Sequence, residues 1–554
     1  MSLLSEKVLP VYAVAVLALT IMISAIVPAQ AGKGPIVKTA VGALEGYDRD
    51  GLNVFKGVPY AKPPVGDLRW KPPAPMQAWD DVREAKDFGA ACMQPDRRVK
   101  SIYAEDYRDM SEDCLTLNIW APKKAKKAAV FIWIHGGSLS GGASSSPMYD
   151  GARLAKEGII VVTINYRLGI LGYLAHPELS AESSENISGN YGLLDQIAAL
   201  QWVRDNISAF GGDPENVTIA GESAGALSVM YLMASPPARG LFHKAIAQSA
   251  YMITTPVLKA KSFGQPSAED VGVWLTGELG ARSVADLRAR DAKEITNESS
   301  VAGFWPFGAI DGKILTGQLV DIFDRGEQAQ VPIIAGFNSG EIRSLRFLLP
   351  KKPEGEAAYE EAIRNGYGEL ADEFLKRYPA DNIEESMLAT TRDAMYGWTS
   401  ERLVDKQTAL GVPGYLYIFD HGYPEAQKWN LHAFHASEIP YVFGTTKKTP
   451  EFWPKVPGTT LDRKMSKAMM DYWSSFARTG VPTAEDQPDW LPYATDKAYM
   501  YFADVPRAAK HLLPGTYELH EQVVCRRRAA GEVPWNWNVG IISPPLPPNK
   551  LECP

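Results

Sequence analysis

The chain has 554 residues, of which 45% are hydrophobic and 22% charged, and its formal net charge at pH 7 is −8. These proportions are typical of a soluble globular protein, and a large α/β enzyme can use such a length in one domain. Charges of both signs are mixed along the chain. We expect the two dense basic runs, residues 123–127 and 526–528, to be solvated surface, so the composition argues against a nucleic-acid-binding protein.

Residues 1–31 have the pattern of a cleavable signal peptide. Lys7 is the only cation before Lys33, a mostly apolar run without charges extends from Val11 to Val27, and Ala29-Gln30-Ala31 supplies a small-residue cleavage site. We predict cleavage after Ala31 and a secreted or periplasmic mature protein. The alternative is an uncleaved membrane anchor, because the apolar run is close to the shortest that spans a bilayer.

The first half of the mature chain contains short extended segments and then buried strands. The patterns predict a hairpin, an extended segment, an alternating strand and two continuous apolar strands, in this order: residues 35–39 with 42–46, 53–61, 114–120, 128–134 and 159–164. Continuous apolar strands are typical of the middle of a sheet that helices cover on both faces.

Helices alternate with the strands that follow. The sequence predicts helices at 190–210 and 461–477, strands at 245–249, 331–336 and 415–419, and helix-rich insertions at 251–330 and 350–410. This alternation indicates an α/β fold with a large, mostly parallel central sheet flanked by helices, and with the insertions over its catalytic end. We expect residues 32–554 to form a single domain with an irregular C-terminal tail from about residue 525.

Ser223 lies in the pattern Gly221-Glu222-Ser223-Ala224-Gly225. An apolar, β-branched stretch precedes it from Val217, and a helix pattern follows from Leu227 to Ala234. Small residues on both sides let a strand turn sharply into a helix, with the serine hydroxyl exposed at the tip. Ser223 is therefore a candidate nucleophile. The alternative is an ordinary glycine–serine loop, which the flanking strand and helix patterns disfavour.

A nucleophilic serine also needs hydrogen-bond donors for the oxyanion that forms when it attacks a carbonyl. The run His135-Gly136-Gly137-Ser138 follows the strand that ends at Ile134, and its small residues can turn backbone N–H groups toward a substrate. With the N–H of Ala224, directly after the serine, these groups would form an oxyanion hole. We interpret His135 as a support of this loop.

The base and the acid are less well determined. The expected order along the chain, serine then acid then histidine, excludes His135 and His176 as the base and disfavours His243. The remaining candidates are His421, His432 and His435, which follow the strand at 415–419, and the tail-proximal His511 and His520. Spacing alone leaves this choice open. It also leaves the acid open, although Glu341 lies just past the strand ending at Gly336, where an acid belongs.

Several stretches together resemble the type-B carboxylesterase family, which includes cholinesterases and bacterial para-nitrobenzyl esterases. They are FKGVPYA (55–61), PPVG (63–66), SEDCLTLN (111–118), NYG (190–192) with DQ (195–196), FGGDP (210–214), GESAG (221–225) and AFHASEIPYVFG (433–444). The resemblance extends from about residue 35 to 505 and implies the α/β-hydrolase fold.

The same resemblance assigns roles to individual residues. It implies a triad of Ser223, Glu341 and His435, with oxyanion donors from the backbone of Gly137, Ser138 and Ala224. It also implies that Glu222 and Ser249 help to position the imidazole.

The four cysteines leave three disulfide connectivities open, and the natural pairs along the chain are Cys92 with Cys114 and Cys525 with Cys553. An exported protein can form such bonds. The resemblance implies the first pair only.

Three departures from the family pattern bear on function. Ser138 replaces a glycine, but it still supplies a backbone donor. Gly340 and Ile342 replace the acidic and the small neighbour that the family usually has around the triad acid. The loop between Cys92 and Cys114 has no tryptophan, which in cholinesterases holds the quaternary ammonium by cation–π attraction, so a choline ester is not an expected substrate.

We therefore expect an exported serine carboxylesterase that acts on small-molecule carboxylic esters through an acyl-enzyme, without a metal or an organic cofactor. Neither nucleic acid nor a membrane is an expected partner of the mature protein. A lipase or an amidase on the same fold is the nearest alternative. A non-catalytic, adhesion-type binding protein is the alternative from another class, but such relatives typically lack a triad residue.

Overall fold

A mixed sheet of eleven strands is the centre of the computed structural model, which describes residues 34–96, 101–107, 109–536, 538–549 and 553. The predicted signal peptide at 1–31 lies outside these residues and stays a prediction. The strands are β1 (Ile36–Lys38), β2 (Ala43–Glu45), β3 (Tyr47–Arg49), β4 (Leu52–Pro59), β5 (Val82–Glu84), β6 (Ala91–Cys92), β7 (Met110–Ser111), β8 (Thr116–Pro122), β9 (Ala128–Ile134), β10 (Ile160–Ile164), β11 (Gly212–Glu222), β12 (Lys244–Gln248), β13 (Ile333–Asn338), β14 (Gly414–Phe419), β15 (Ala498–Phe502) and β16 (Pro506–Lys510).

The order of strands across this sheet is β16-β15-β14-β13-β12-β11-β9-β10-β8-β4-β3. The strands from β15 to β10 in this order pair parallel, and the outer pairs are antiparallel. The remaining strands form two small sheets, β1-β2-β5 and β6-β7. The antiparallel pair of β1 and β2 is the hairpin that the sequence predicts.

Helices cover the sheet and form the two insertions. They are α1 (Ala152–Ala155), α2 (Gly169–Tyr173), α3 (Pro177–Glu182), α4 (Tyr191–Asn206), α5 (Ala224–Ala234), α6 (Ala268–Glu278), α7 (Val284–Arg288), α8 (Ala292–Val301), α9 (Leu319–Asp324), α10 (Glu356–Tyr367), α11 (Ala371–Arg377), α12 (Ile383–Arg392), α13 (Trp398–Ala409), α14 (Pro424–Lys428), α15 (Ile439–Val442), α16 (Thr460–Thr479) and α17 (Thr516–Ala530). A π-helical turn, Asp393–Gly397, joins α12 to α13. No helix among the described residues is long and apolar enough to cross a bilayer.

The continuous apolar run of β9 explains the layered core. Val130 and Ile132 belong to one buried cluster, whereas Phe131 and Trp133 belong to another. Because successive side chains of a strand point to opposite faces, the two clusters lie on the two faces of the sheet. Leu227 of α5 packs in the first cluster and Trp473 of α16 in the second. The predicted α/β fold with a helix-covered sheet is confirmed.

The parallel pairing also brings the candidate site together. Strands β9, β11, β12, β13 and β14 run in the same direction, so their carboxyl ends meet at one edge of the sheet. Open α/β sheets bind their ligands at this edge. The segments that leave it carry the predicted oxyanion loop, residues 135–138, together with Ser223, Ser249, Glu341 and His435.

The C-terminal region corrects two predictions. Helix α17 continues to Ala530, so the irregular tail begins after this residue and not at about residue 525. Arg526 and Arg527 of this helix are buried, although the run was expected to be solvated. The reason is that α17 packs against the insertion helices, where Arg526 forms an ion pair with Glu369. The lysines of the other basic run, 123–127, are exposed as predicted.

Both natural cysteine pairs are bonded, Cys92 to Cys114 and Cys525 to Cys553. The tail has a second attachment, because Trp535 is fully buried and the side chain of Asn536 bridges the backbone of Thr254 and Met252 at 2.9 and 3.0 Å.

Candidate active site

Ser223 occupies the turn between β11 and α5. Its backbone has φ 56° and ψ −122°, a conformation that a residue with a side chain rarely adopts. Strained backbone of this kind persists where the surrounding structure holds it, and it is common at functional sites. The turn leaves Ser223 partly exposed between fully buried neighbours, as the sequence predicts for a nucleophile at the tip.

The two glycines of the motif are required by close backbone approaches. A Cβ on Gly225 would lie 2.1 Å from the carbonyl oxygen of Ile134, and one on Gly221 would lie 2.5 Å from the carbonyl group of Gly225. Neither obstacle is a flexible side chain. The turn at residues 221–225, which we call the elbow, therefore packs directly against the end of β9, where the predicted oxyanion loop begins.

We expect Gly225→Ala to destabilise the protein by roughly 3 kcal/mol or more, because the backbone of β9 or α5 must move to admit the methyl group. The free energy of unfolding in urea measures this effect. Gly277→Ala in the exposed part of α6 is the matched control, since a Cβ there would meet no atom within 4 Å. Equal stability of the two variants would contradict the tight packing of the elbow.

Glu341 is fully buried at the start of a 3-10 turn after β13. Its Oε1 accepts hydrogen bonds from the N–H of Asn338 at 2.8 Å and from the hydroxyl of Ser249 at 2.6 Å. Its Oε2 contacts Nδ1 of His435 at 2.5 Å. The carboxylate is thus held by three groups, and one of them is the imidazole. The Glu341 carboxylate thus links Ser249 to the imidazole.

His435 is buried among carboxylates. Oε1 of Glu222 lies 3.1 Å from its Nε2, a charge contact without hydrogen-bond geometry. Burial alone would lower the pKa of His435, but Glu222 and Glu341, with a smaller effect of Glu438, together raise it to about 9. Burial raises the pKa of Glu222 to about 8, although the positive charge of His435 opposes this rise.

Ser223 and His435 line the same cavity. Within the described ranges, no hydrogen bond joins the Ser223 hydroxyl to the imidazole. In ligand-free structures such catalytic hydrogen bonds are often long, and they tighten when substrate binds. The Glu341–His435 contact holds the imidazole in one orientation without help from Ser223.

The loop after β9 has the shape of an oxyanion hole. Gly137 has φ 106° and Ser138 has φ 56°. A Cβ on Gly136 would lie 3.2 Å from the Cβ of Ser223, so the loop runs directly beside the nucleophile. In the part of the chain that the structure describes, no hydrogen bond uses the N–H groups of Gly137, Ser138 or Ala224. They are available to a substrate oxygen.

The other histidines lie elsewhere. His135 stacks on Tyr166 with a centroid distance of 4.6 Å, and burial lowers its pKa to about 4, which fits its predicted supporting role. Asp462 contacts buried His421 at 3.1 Å, and Asn430 contacts exposed His432 at 3.1 Å. The two tail-proximal candidates contact residues outside the candidate site: His511 contacts Asp496, and His520 contacts Tyr378. Of the five candidates left open by spacing, His435 is the one beside Glu341.

The sequence reasoning missed three buried polar residues of the network. The side-chain amide of Asn338 donates to Oε2 of Glu438 at 2.6 Å, and that of Gln248 donates to Oε1 at 2.9 Å. Glu438 is fully buried, and among the described residues no hydrogen bond or ion pair joins it to the imidazole. Asn338 lies near Glu341 in the sequence, Gln248 near Ser249, and Glu438 near His435, in each case within three residues. This proximity is the signal by which the sequence could have identified them.

The cavity around Ser223 has a volume of about 300 Å³, and many aromatic side chains line it. Tyr103 comes from the loop closed by the first disulfide, and its hydroxyl donates to the backbone oxygen of His435 at 3.0 Å. Tyr396 comes from the π-helical turn, and its ring centroid lies 5.4 Å from that of His435. Trp305 and Phe307 from the first insertion, and Phe347 from the segment before the second insertion, also belong to the apolar wall.

Comparison with known proteins identifies the family. A model of the carboxylesterase family matches residues 33–518. The chain belongs to the carboxylesterase family. As a member it is a carboxylic ester hydrolase, and the resemblance seen in the motifs is confirmed. The fumonisin B1 esterase of Sphingopyxis macrogoltabida is 38% identical over 469 residues, which cover 82% of this chain and 83% of that protein. The para-nitrobenzyl esterase of Bacillus subtilis is 37% identical, with coverages of 83% and 92%.

Solved structures of related proteins have the same fold as this chain. A para-nitrobenzyl esterase structure has a TM-score of 0.76 at 32% identity and covers 87% of this chain and 99% of its own. A carboxylesterase of Geobacillus stearothermophilus has a TM-score of 0.73 at 33% identity, with coverages of 90% and 100%. The α/β-hydrolase fold is thereby shown for this chain.

Proposed function

We propose that the protein is a serine carboxylesterase in which Ser223, His435 and Glu341 form the catalytic triad. The observation that carries the proposal is the contact of the buried Glu341 carboxylate with Nδ1 of His435, in the cavity that Ser223 lines. The contact fixes the tautomer, because Nδ1 carries the hydrogen that Glu341 accepts and leaves Nε2 as the base.

The proposed reaction uses these groups in turn. His435 Nε2 takes the hydroxyl proton as Ser223 Oγ attacks the ester carbonyl, and the N–H groups of Gly137, Ser138 and Ala224 bind the oxyanion. His435 returns the proton to the leaving alcohol. Water then enters, gives its proton to His435 and releases the acid from the acyl-enzyme.

The cavity favours neutral, apolar esters. Among its described lining residues, Glu105 and Glu222 carry carboxylates and His435 is the one basic side chain. Arg343 and Arg346, which lie near the acid in the sequence, form ion pairs with Glu385 and Glu384 at 2.6 Å and do not line the cavity. Apart from the imidazole of His435, a substrate with a negative charge would therefore find no cationic side chain among the described lining residues.

Export is part of the proposal. The segment at 1–31 has the pattern of a signal peptide, and two disulfides are the second support, because such bonds persist in oxidising compartments.

The test is hydrolysis of para-nitrophenyl esters combined with a fluorophosphonate label mapped by mass spectrometry. We expect turnover of the acetate and label on Ser223. Label on another serine would reject the assignment of the nucleophile. If neither turnover nor label occurred, a binding protein on this fold would replace the esterase.

A second prediction concerns pH. His435 must be neutral to accept a proton, so kcat/KM falls as pH decreases through its pKa, which the neighbouring carboxylates raise to about 9. Glu222→Gln removes a negative charge 3.1 Å from Nε2 and therefore lowers this pKa. We expect the acidic limb of the kcat/KM profile to move to lower pH by about one unit. Glu215→Gln, which changes an exposed carboxylate at the start of β11, should leave the limb in place.

A further inference from the structure

A second cavity lies next to the catalytic one. Its volume is about 260 Å³, and the residues that line it include none of the proposed catalytic groups. Two side chains, Trp305 and Phe307, line both cavities. They are therefore a shared wall, with Ser223 on one side and the second cavity on the other.

The shared wall belongs to a short segment that is fixed at both ends. At its start, the N–H of Phe304 donates to the oxygen of Ser299 at the end of α8 at 2.9 Å. At its end, the side chain of Asn190 forms two hydrogen bonds with the backbone of Ala309, at 2.8 and 2.9 Å. Trp305, between these anchors, is 50% exposed. Exposed side chains change rotamer readily, so the indole of Trp305 is the part of the shared wall that can rotate while its backbone attachments stay in place.

The second cavity is apolar. Its wall contains Ala175, Val271 and Trp274, together with other aromatic residues and prolines. Gln265 is a polar member of the wall, and no charged side chain among the described residues lines the cavity. Helix α6 supplies Val271 and Trp274. This helix lies very close to Ala175, since a Cβ on Gly272 would be 1.7 Å from the Ala175 oxygen. Binding of an apolar chain in such a cavity is favourable in proportion to the apolar area that is removed from water.

The catalytic cavity alone is small for a large ester. Ligand sites span roughly 300–1,000 Å³, and this cavity, at about 300 Å³, is at the lower end of that range. An ester with a long chain would therefore extend past its walls. The adjoining apolar cavity is the continuation that the structure offers.

Two sets of contacts bear on which side of the ester would face the shared wall. The leaving alcohol must lie near His435, which protonates it. The imidazole is flanked by Tyr103 and Tyr396, and neither lines the second cavity. The residue after the shared wall, Gly308, instead lies against α5, because a Cβ on it would be 3.1 Å from the ring of Tyr231. Helix α5 begins directly after Ser223.

We infer that the second cavity binds the distal part of a long acyl chain, and that esters of long-chain carboxylic acids are the substrate class of this site. The inference rests on the proposed function, because it places the ester carbonyl at Ser223. Trp305 and Phe307 then act as specificity-determining residues, between which the chain passes.

Filling the second cavity tests the inference. Val271→Trp places a large side chain inside it, whereas Val273→Trp on the same helix adds the same group at a position that is 51% exposed and lines neither cavity. We expect Val271→Trp to lower kcat/KM for para-nitrophenyl dodecanoate about tenfold or more and to leave the acetate within about twofold. Val273→Trp should change neither. Ala268→Phe fills the cavity from another position and should reproduce the selective loss.

Three results would overturn the inference. The first is wild-type turnover of both the dodecanoate and the acetate in both filled variants. The second is an equal loss for both esters, which would indicate general damage to the site. The third is a selective loss with dodecyl acetate in place of dodecanoate, which would assign the cavity to the alcohol. A failure of the proposed function is distinguishable, because the wild-type protein would then neither hydrolyse the acetate nor take the fluorophosphonate label.

Discussion

Ser223→Ala is expected to lower kcat for para-nitrophenyl acetate by about 10⁵–10⁶-fold while the protein remains folded. The hydroxyl is the nucleophile, and no other side chain at the elbow can replace it. The remaining oxyanion donors leave a small residual rate above that of water. Single-turnover kinetics with the purified variant measure the loss.

The free energy of unfolding and a control variant separate this loss of activity from misfolding. Ser223 Oγ takes part in no hydrogen bond among the described residues, so its removal should change the free energy of unfolding by less than about 1 kcal/mol. Ser208→Ala, at an exposed position of the 3-10 turn after α4, is the control and should keep wild-type turnover. Substantial activity in Ser223→Ala would assign the nucleophile to another residue.

The elbow could be predicted from the sequence because its requirements are local. Gly221 and Gly225 are needed where the chain contacts itself and the end of β9, and the apolar stretch and the helix pattern are adjacent in the sequence. The oxyanion loop was predictable for the same reason. Its small residues follow directly on β9, whose apolar run identifies a buried strand.

The base could not be chosen from spacing, because its partner is determined by the sheet. Glu341 follows β13, and His435 lies 94 residues further along the chain, after β14. The two strands pair parallel, and a bridge between Gly340 and Phe434 places the residues next to each other. Only the family resemblance distinguished His435 from the other histidines in advance.

The edge of the sheet and the tail were missed for a different reason. Strand β16 is mostly exposed, and its sequence, PRAAK, lacks an apolar alternation. Helix α17 contains two buried arginines, whose charges predict a solvent-exposed position. In both cases tertiary packing overrides the local pattern. The second cavity was equally invisible in the sequence, since its walls come from α2, α6 and the segment after α8.

Glu341→Gln is the second large effect that we expect, with a decrease in kcat of about 10³–10⁴-fold. The amide keeps the size of the side chain but removes the charge that stabilises the imidazolium. Its N–H₂ group also opposes the hydrogen on Nδ1, so the ring changes to the tautomer that cannot accept the serine proton. Glu341→Asp retains the charge and should recover part of the activity.

Glu438→Gln is the matched control for this variant. Glu438 is equally buried and belongs to the same network, but its hydrogen bonds go to Asn338 and Gln248. We expect its kcat to fall by about tenfold at most, since it acts on the imidazole only at a distance. The pH profile adds an independent readout. Because Glu341 raises the pKa of His435, the residual activity of Glu341→Gln should have its acidic limb at lower pH than the wild type. A larger loss in Glu438→Gln than in Glu341→Gln would transfer the role of the acid to Glu438.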